Sequence, residues 1–367
     1  MLNMDKKAVV RPISLPKGRR VLVVSDIHGN LPYLKGLLDK AGFSSKDILI
    51  VLGDILEKST GSLDTLRYLM DLAKTHTVHF VQGNCDATPL GFLSGKWPDE
   101  IAARYAGFWK RKATWVDMAH RIGVPVDSIE DYPAAREAIQ NAYPEELAFL
   151  DAMPTILIDD NYLFVHGGVP REENLEELSA WSCMKNDDFQ GQGHTFRRWV
   201  IVGHWPVSLY HPDIPKAGPV ILSDRHIASI DGGCTLKTDG QLNALILPEE
   251  PGGDFTWVSY DGFPTVTASE DQSPSADPLN IRWGHSNIEI LEPGEEFTLV
   301  RHVESGRELP VLTDTIQTGI YGLTCKDTTD YLLPVKKGDT LSLVRQTSRG
   351  ALVKKDGVTG WYLGSFT

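Results

Sequence analysis

Three short apolar runs that each stop at a polar cluster constrain this chain more than any other feature. Val21-Leu22-Val23-Val24 leads into Ser25-Asp26-Ile27-His28-Gly29-Asn30, Ile48-Leu49-Ile50-Val51-Leu52 into Gly53-Asp54, and the run Val78 to Val81 into Gly83-Asn84-Cys85-Asp86. Between them, Leu31 to Ala41 and Leu63 to Ala73 carry apolar residues at helical spacing, as in Leu34, Leu37 and Leu38. Strand, helix, strand is the rhythm of an α/β sheet. Such sheets gather their sites outside the carboxyl ends of the strands. The three clusters are therefore expected to meet in space.

The rhythm breaks at 90–150, a stretch rich in Trp, Arg, Lys and Ala with helical patches around 99–122 and 134–152. It reads as a helical cap inserted over the site. Ile156 to Ile158 and Tyr162 to Val165 form a predicted hairpin ending in His166-Gly167-Gly168, and Trp199 to Val202 a strand ending in Gly203-His204. Further strands are expected at 220–222, 227–230 and 242–247. After Pro248 the texture turns to Pro, Gly, Ser and Asp clusters, then to short strands and turns. Gly294-Glu295-Glu296-Phe297-Thr298-Leu299-Val300-Arg301 is echoed by Gly338-Asp339-Thr340-Leu341-Ser342-Leu343-Val344-Arg345. The expected organisation is a catalytic domain over 18–250 with the cap at 90–150, a linker or β extension (a first small barrel) over 251–309, and a small β-barrel over 310–367.

Length and composition narrow the function. A chain of 367 residues has room for two or three domains. Its net charge of −13 argues against non-specific nucleic-acid or anionic-membrane binding, while leaving room for a small phosphorylated substrate at a local positive site. No run approaches the ~20 apolar residues of a membrane span. No signal peptide is read at the start. The four cysteines, Cys85, Cys183, Cys234 and Cys325, form no CxxC pair. They are expected to be reduced thiols of a cytoplasmic protein.

The polar clusters supply metal ligands. Asp26 and His28, two apart on an extended segment, would point the same way. Asp54, Asn84, His166 and His204 follow later strands. Two carboxylates, an amide oxygen and three imidazoles suit Mn, Fe, Zn or Co better than Ca. Six ligands suffice for two ions only if one carboxylate bridges, and Asp54 is central in the set. Two such ions share a hydroxide and clamp a phosphoryl group for in-line attack. Singly, Asp54 fits a helix N-cap and Asn84 a turn residue; the weight lies in the set.

With these motifs in this order, residues 20–250 resemble the calcineurin-like metallophosphoesterases. His166-Gly167-Gly168 and Ile230-Asp231-Gly232-Gly233-Cys234 look more like the phosphoprotein-phosphatase branch, which includes bacterial protein phosphatases and symmetrical diadenosine tetraphosphatases. The resemblance implies a β-sandwich flanked by helices. It implies that Asp26, His28 and Asp54 bind one divalent ion, and that Asp54, Asn84, His166 and His204 bind a second, with Mn the first choice. Asp54, Asn84, Lys58, Cys85 and Asp86 are the expected catalytic groups.

The chain departs from the branch at two motifs. Gly-Asp-x-x-Asp-Arg-Gly is replaced by Gly53-Asp54-Ile55-Leu56-Glu57-Lys58-Ser59, so Lys58 keeps the charge of the arginine but loses its fork. Gly-Asn-His-Asp becomes Gly83-Asn84-Cys85-Asp86. Cys85 thus stands where the family has its general acid, and Glu57 where that acid has its carboxylate partner. A thiol is a poor proton donor to an alkoxide. The departures favour anhydride, aryl or activated diester substrates. The first reading is a serine/threonine protein phosphatase-like esterase. The alternatives are a dinucleoside polyphosphate hydrolase or phosphodiesterase, and, from another class, a non-catalytic metal-binding scaffold. The substrate is then a phosphorylated small molecule, nucleotide or phosphoprotein. Arg104, Lys110, Arg111, Lys112 and Arg121 with Trp97, Trp109 and Trp115 offer the cap charge and stacking, although solvated charges and buried rings account for most of them. Residues 310–367, ending in Gly360-Trp361-Tyr362, resemble a bacterial SH3-like domain, which implies a protein partner or self-association.

Overall fold

The computed structural model describes residues 6–250, 252–319 and 322–367. They divide into two compact units. One comprises residues up to 206 with 219–236 and 240–262; the other comprises 207–218, 237–239 and 263–367.

The first unit is an α/β sandwich. Its elements in chain order are β1 (Val10–Pro12), β2 (Val21–Val24), α1 (Leu31–Lys40), β3 (Ile48–Leu52), α2 (Ser62–Leu72), β4 (Thr77–Val81), α3 (Asn84–Leu93), α4 (Asp99–Trp109), α5 (Thr114–Arg121), α6 (Tyr132–Ala142), α7 (Pro144–Asp151), β5 (Ile156–Ile158), β6 (Tyr162–Val165), α8 (Ala180–Met184), β7 (Trp199–Val202), β8 (Val220–Leu222), β9 (Ile227–Ser229), β10 (Leu242–Ile246) and β11 (Thr256–Tyr260). One sheet has the order β11-β10-β2-β3-β4 and the other β1-β5-β6-β7-β9-β8. In each, a parallel centre (β2-β3-β4; β6-β7-β9) is flanked by antiparallel pairs, β10 on β2 and β5 on β6. The strand-helix rhythm alone pointed to a single parallel sheet. It carries no signal for the second sheet, whose strands are not joined by a regular strand-helix repeat.

The continuous apolar runs are explained by burial on both faces. Val21, Val23, Ile48, Ile50 and Leu52 face the other sheet, where they meet Leu157, Phe164, Ile201 and Ala228. The alternate residues Leu22, Val24, Leu49 and Val51 lie under Leu34, Leu37, Leu66 and Leu69 of α1 and α2. Side chains of this kind contribute about 1.5–3 kcal/mol each when fully buried. Because the strands are pinned on two faces, the loops at their carboxyl ends start from fixed points.

The expected insertion is helical, and it packs a core of its own. Phe92 stacks on Trp115 with ring centroids 3.8 Å apart, Tyr132 meets both edge-on, and Arg136 lies over Phe92. Trp115 is therefore core. Arg111 and Arg121 both bind Asp117, and Arg121 also binds Asp64.

The second unit is all β: β12 (Thr265–Thr267), β13 (Asn280–Ile281), β14 (Ile288–Glu292), β15 (Phe297–His302), β16 (Glu308–Leu312), β17 (Ile316–Gly319), β18 (Gly322–Cys325), β19 (Thr328–Thr329), β20 (Thr340–Thr347), β21 (Gly350–Lys355) and β22 (Val358–Tyr362). Its sheets are β12-β20-β21-β22, β14-β15-β16, β13-β19 and β17-β18. β12 pairs with β20 across a long connection, and β16 runs through the expected 309/310 division. β11, expected within 251–309, pairs with β10 in the first unit. The two echoed segments become β15 and β20, each following a glycine turn, but in different sheets. Among the described residues, no helix is long and apolar enough to cross a membrane.

Candidate metal centre

The carboxyl ends of β2, β3 and β4 in one sheet and β6, β7 and β9 in the other deliver Asp26, His28, Asp54, Asn84, His166, His204 and Asp231. The approach is set by backbone. Asp26 N donates to Gly53 O (3.1 Å), His28 N to Asp54 O (2.9 Å) and Gly29 N to Ile55 O (2.7 Å), so the first two loops are laced together. Gly203 N donates to His166 O (2.9 Å), tying the two loops of the other sheet. Gly53, at φ +81°, abuts Gly83: a Cβ on Gly53 would come within 2.7 Å of the Gly83 backbone. No other residue fits there.

The sequence suggested an extended Asp26-x-His28 segment, and this is corrected. Asp26 (φ 55°) and His28 (φ 50°) are left-handed, as are Asp54 (51°), Glu57 (70°), Lys58 (66°) and His204 (65°). Each such residue costs on the order of 1–3 kcal/mol, and strain of this kind clusters at functional sites. Here it gathers at one end of the sandwich.

The side chains then converge. Asp54 Oδ2 is 3.8 Å from His28 Nε2, Asp54 Oδ1 is 3.2 Å from His166 Nε2, and Asp26 Oδ1 is 3.9 Å from His28 Nε2. The His166 and His204 ring centroids are 5.2 Å apart. His28 Nδ1 is 3.0 Å from Leu56 O, and His166 Nδ1 is 2.8 Å from Leu52 O. A carbonyl accepts only from N–H, so each ring carries its proton outward and turns Nε2 into the cluster. Metal-ligating histidines are oriented in this way. His204 Nε2 meets Asp187 Oδ1 at 2.7 Å, leaving Nδ1 as the free nitrogen of that ring, while its backbone N–H holds Asp26 Oδ2 at 2.9 Å.

Among the described residues, five buried side-chain atoms make no hydrogen bond, and Asn84 Oδ1 and His166 Nε2 of this cluster are two of them. Buried polar atoms are rarely left so, and an ion is one of the standard reasons. Two overlapping groups, His28–Asp54–Cys85 and Asp54–His166–His204, bring ligand atoms within 4.8 Å of one another, with Asp54 common to both. The electrostatics agree. Burial works against the Asp54 charge, yet His166 and His28 hold its carboxyl well below the usual range. Burial likewise works against a charged His166, but Asp54 and Asp26 push it up to about 10. The cluster requires positive charge beside Asp54, either a proton on His166 or a cation in its place. The residues fit a pair of divalent ions.

The other expected residues take different places. Lys58 Nζ lies 3.1 Å from His28 Nε2. Burial works to lower its ammonium, but Cys85, Asp54 and Asp26 raise it, so it stays charged. Cys85 is buried; burial and then the Asp54 charge push its thiol well above the usual value. Asp86 spends Oδ1 on the N–H groups of Ile55 (2.9 Å) and Leu56 (3.2 Å) and Oδ2 on that of Gly83 (3.0 Å). It thus clasps the second and third loops together. Glu57, placed by motif beside Cys85, instead accepts from Tyr105 OH (2.8 Å) and Thr114 N (3.1 Å), tying its loop to α4 and to the start of α5. Burial raises it to about 7. Asp187, Lys185 and the buried Asp231 border the cluster without having been singled out as site residues. Asp187 and Lys185 lie in a loop with no motif. Asp231 had only its Asp-Gly-Gly setting as a signal.

Two facing sheets with a strained carboxylate–imidazole cluster at their strand ends define a metal-binding α/β sandwich. The chain belongs to the calcineurin-like phosphoesterase family, whose model matches residues 19–230. Among curated proteins, a symmetrical bis(5'-nucleosyl)-tetraphosphatase from Photorhabdus laumondii is 29% identical over 42% of this chain and 46% of its own. One from Photobacterium profundum is 27% identical over 46% and 53%. The chain spans about half the length of these relatives. A solved metallophosphoesterase from Sphaerobacter thermophilus aligns with a TM-score of 0.40 at 18% identity, covering 66% of this chain and 88% of that one.

Proposed function

We propose that the chain is a dinuclear-metal-dependent phosphoesterase that hydrolyses dinucleoside polyphosphates. The observation that carries this reading is the Asp54 carboxylate held between two imidazoles that both turn Nε2 toward it. Asp26, His28 and Asp54 would hold one ion, and Asp54, Asn84, His166 and His204 the other, with Mn as first choice and Fe, Zn or Co as alternatives. Bound there, the ions supply Lewis acidity and a water acidic enough to serve as nucleophile. The protein's own groups do the rest. Lys58, charged and beside His28, binds oxygens of the transferring phosphoryl group. Asp86 and Glu57 keep the loops in place.

The leaving group decides between the two substrate readings. A serine alkoxide needs a proton, and the three imidazoles of the centre are all committed as ligands. Cys85, a weak acid, is the group left at the family's acid position. An anhydride releases a nucleoside diphosphate that needs no such help. The names of the curated relatives point the same way. The dinucleoside polyphosphate reading therefore leads, and the protein-phosphatase reading comes second. Four buried free thiols support a cytoplasmic setting. For the second unit we keep the SH3-like reading, with β22 carrying Gly360-Trp361-Tyr362, and a role in partner binding or self-association.

The test compares diadenosine tetraphosphate, p-nitrophenyl phosphate, its bis-ester and a phosphoserine peptide with added Mn²⁺, for wild type and Asp54→Asn. ADP as the product, lost in the variant, is expected. Faster turnover of phosphoserine would put the protein-phosphatase reading first. No turnover of any ester would leave a metal-binding scaffold.

A further inference from the structure

One cavity, of 750 Å³, is lined by residues 12–21, 158–162 and 246–249 at the amino ends of β2 and β6. It lies at the wrong end of the strands to serve the metal centre. A second cavity of 470 Å³ lies between α3 and α8, lined by Ala87, Leu90, Trp181 and Met184 among others. Resting on the dinucleoside polyphosphate reading, we propose that this cleft is a nucleoside subsite, with Trp181 as the stacking platform for the base.

Both walls are tied to segments that carry expected metal ligands. Ala87 and Leu90 line the cleft from α3, the helix that opens with Asn84, so the wall starts one turn from that residue. Trp181 and Met184 line it from α8. That helix is held against the His166 loop, since Gly167 N and Gly168 N both donate to Cys183 O. On this proposal, a chain of phosphates with one group at the centre runs along α3 from Asn84 toward Ala87 and Leu90.

The lining suits a flat heterocycle. Trp97 is buried and fixed edge-on against Tyr105 with centroids 5.6 Å apart, so its part of the wall is rigid. Trp181 is half-buried, with indole surface left for a ligand. Aromatic platforms stack any nucleobase and discriminate little among them. At the rim Lys96 is exposed and makes no ion pair among the described residues, which leaves its ammonium for a phosphate. On a chain of net charge −13, a rim lysine beside two indoles is a local setting for an anionic aromatic ligand. A volume of 470 Å³ lies within the range of small-molecule pockets.

Adenosine is the direct probe, because it has no phosphate for the metals to hold. Calorimetry on the full Mn-loaded chain should show adenosine binding to wild type, about tenfold weaker binding to Trp181→Ala, and near-normal binding to Trp181→Phe. The KM for diadenosine tetraphosphate should rise by a similar factor in Trp181→Ala, while turnover of p-nitrophenyl phosphate stays unchanged. Failure of wild type to bind adenosine, or equal binding by Trp181→Ala, overturns the subsite. If adenosine binds through Trp181 but diadenosine tetraphosphate is not hydrolysed, the subsite stands and the substrate reading falls. If adenosine does not bind and Trp181→Ala raises the KM of a phosphoserine peptide, the cleft is a peptide groove and the proposal is wrong.

Discussion

The strand-end cluster and the helical insertion both bury charged groups, and they treat them in opposite ways. In the insertion, Asp117 is held by Arg111 at 2.8 Å and Arg121 at 2.6 Å, and Glu57 reaches in to meet Tyr105 and Thr114. At the strand ends, among the described residues, Asn84 Oδ1 accepts no hydrogen bond, His166 Nε2 faces only the Asp54 carboxylate, and Asp26, His28, Asp54 and His204 sit on left-handed backbone. A buried charge whose oxygens are all met by donors, as in Asp117, serves the fold. A polar atom left unpaired on strained backbone costs stability, and it persists where a ligand is to be bound.

Substitutions on the two sides should therefore separate activity from stability. Asp54→Asn should lower metal-dependent turnover by roughly a thousandfold or more while the chain still folds, its urea midpoint falling because His166 loses its buried partner. A variant that unfolds instead would make Asp54 a structural residue. Lys58→Ala should cost about a hundredfold in kcat with little change in stability, and Lys58→Arg should restore part of the rate. An unchanged kcat in the alanine variant would remove Lys58 from the reaction. On the insertion side, Asp117→Ala should destabilise by about 1–3 kcal/mol in urea titration, since it strands two partly exposed arginines. It should leave turnover per folded molecule near that of wild type; a large loss would make the insertion part of the active machinery.

Glu57 sharpens the contrast through pH. Its carboxyl is raised by burial from 4.5 to about 7, so between these values the folded chain keeps a proton that the unfolded chain has released. Its contribution to stability is full below about pH 4.5 and is lost as the pH rises through about 7. The stability deficit of Glu57→Gln relative to wild type should thus be larger at pH 5 than at pH 8, by an amount on the order of 1–3 kcal/mol. Urea midpoints of both proteins at the two pH values measure this. A deficit independent of pH would mean that Glu57 is not buried as described.

Much of the site was legible because its residues follow apolar runs. Val21 to Val24 and Ile48 to Leu52 are buried on both faces, so their ends are fixed, and the ligands appear at those ends in the sequence. The facing of the two sheets was not legible from periodicity. β1 from the leading segment pairs with β5, and β10 returns to pair with β2, through contacts that leave no local pattern. The roles of Asp86 and Glu57 were hidden for a similar reason. A carboxylate in a motif reads the same whether it faces an ion or clasps backbone N–H groups, and only the approach of Gly83, Ile55 and Leu56 decides for Asp86. Asp187 lay outside every motif because the loop between α8 and β7 carries it to His204.

The central claim is that the unpaired cluster is a centre for two ions joined through Asp54. Its most direct test is the stoichiometry of Mn²⁺ binding, by calorimetry and metal analysis, for wild type and Asp54→Asn. Two ions per wild-type chain, with at least one lost in the variant, is the predicted result. No bound ion in wild type, or two bound equally well without the Asp54 carboxylate, would contradict it.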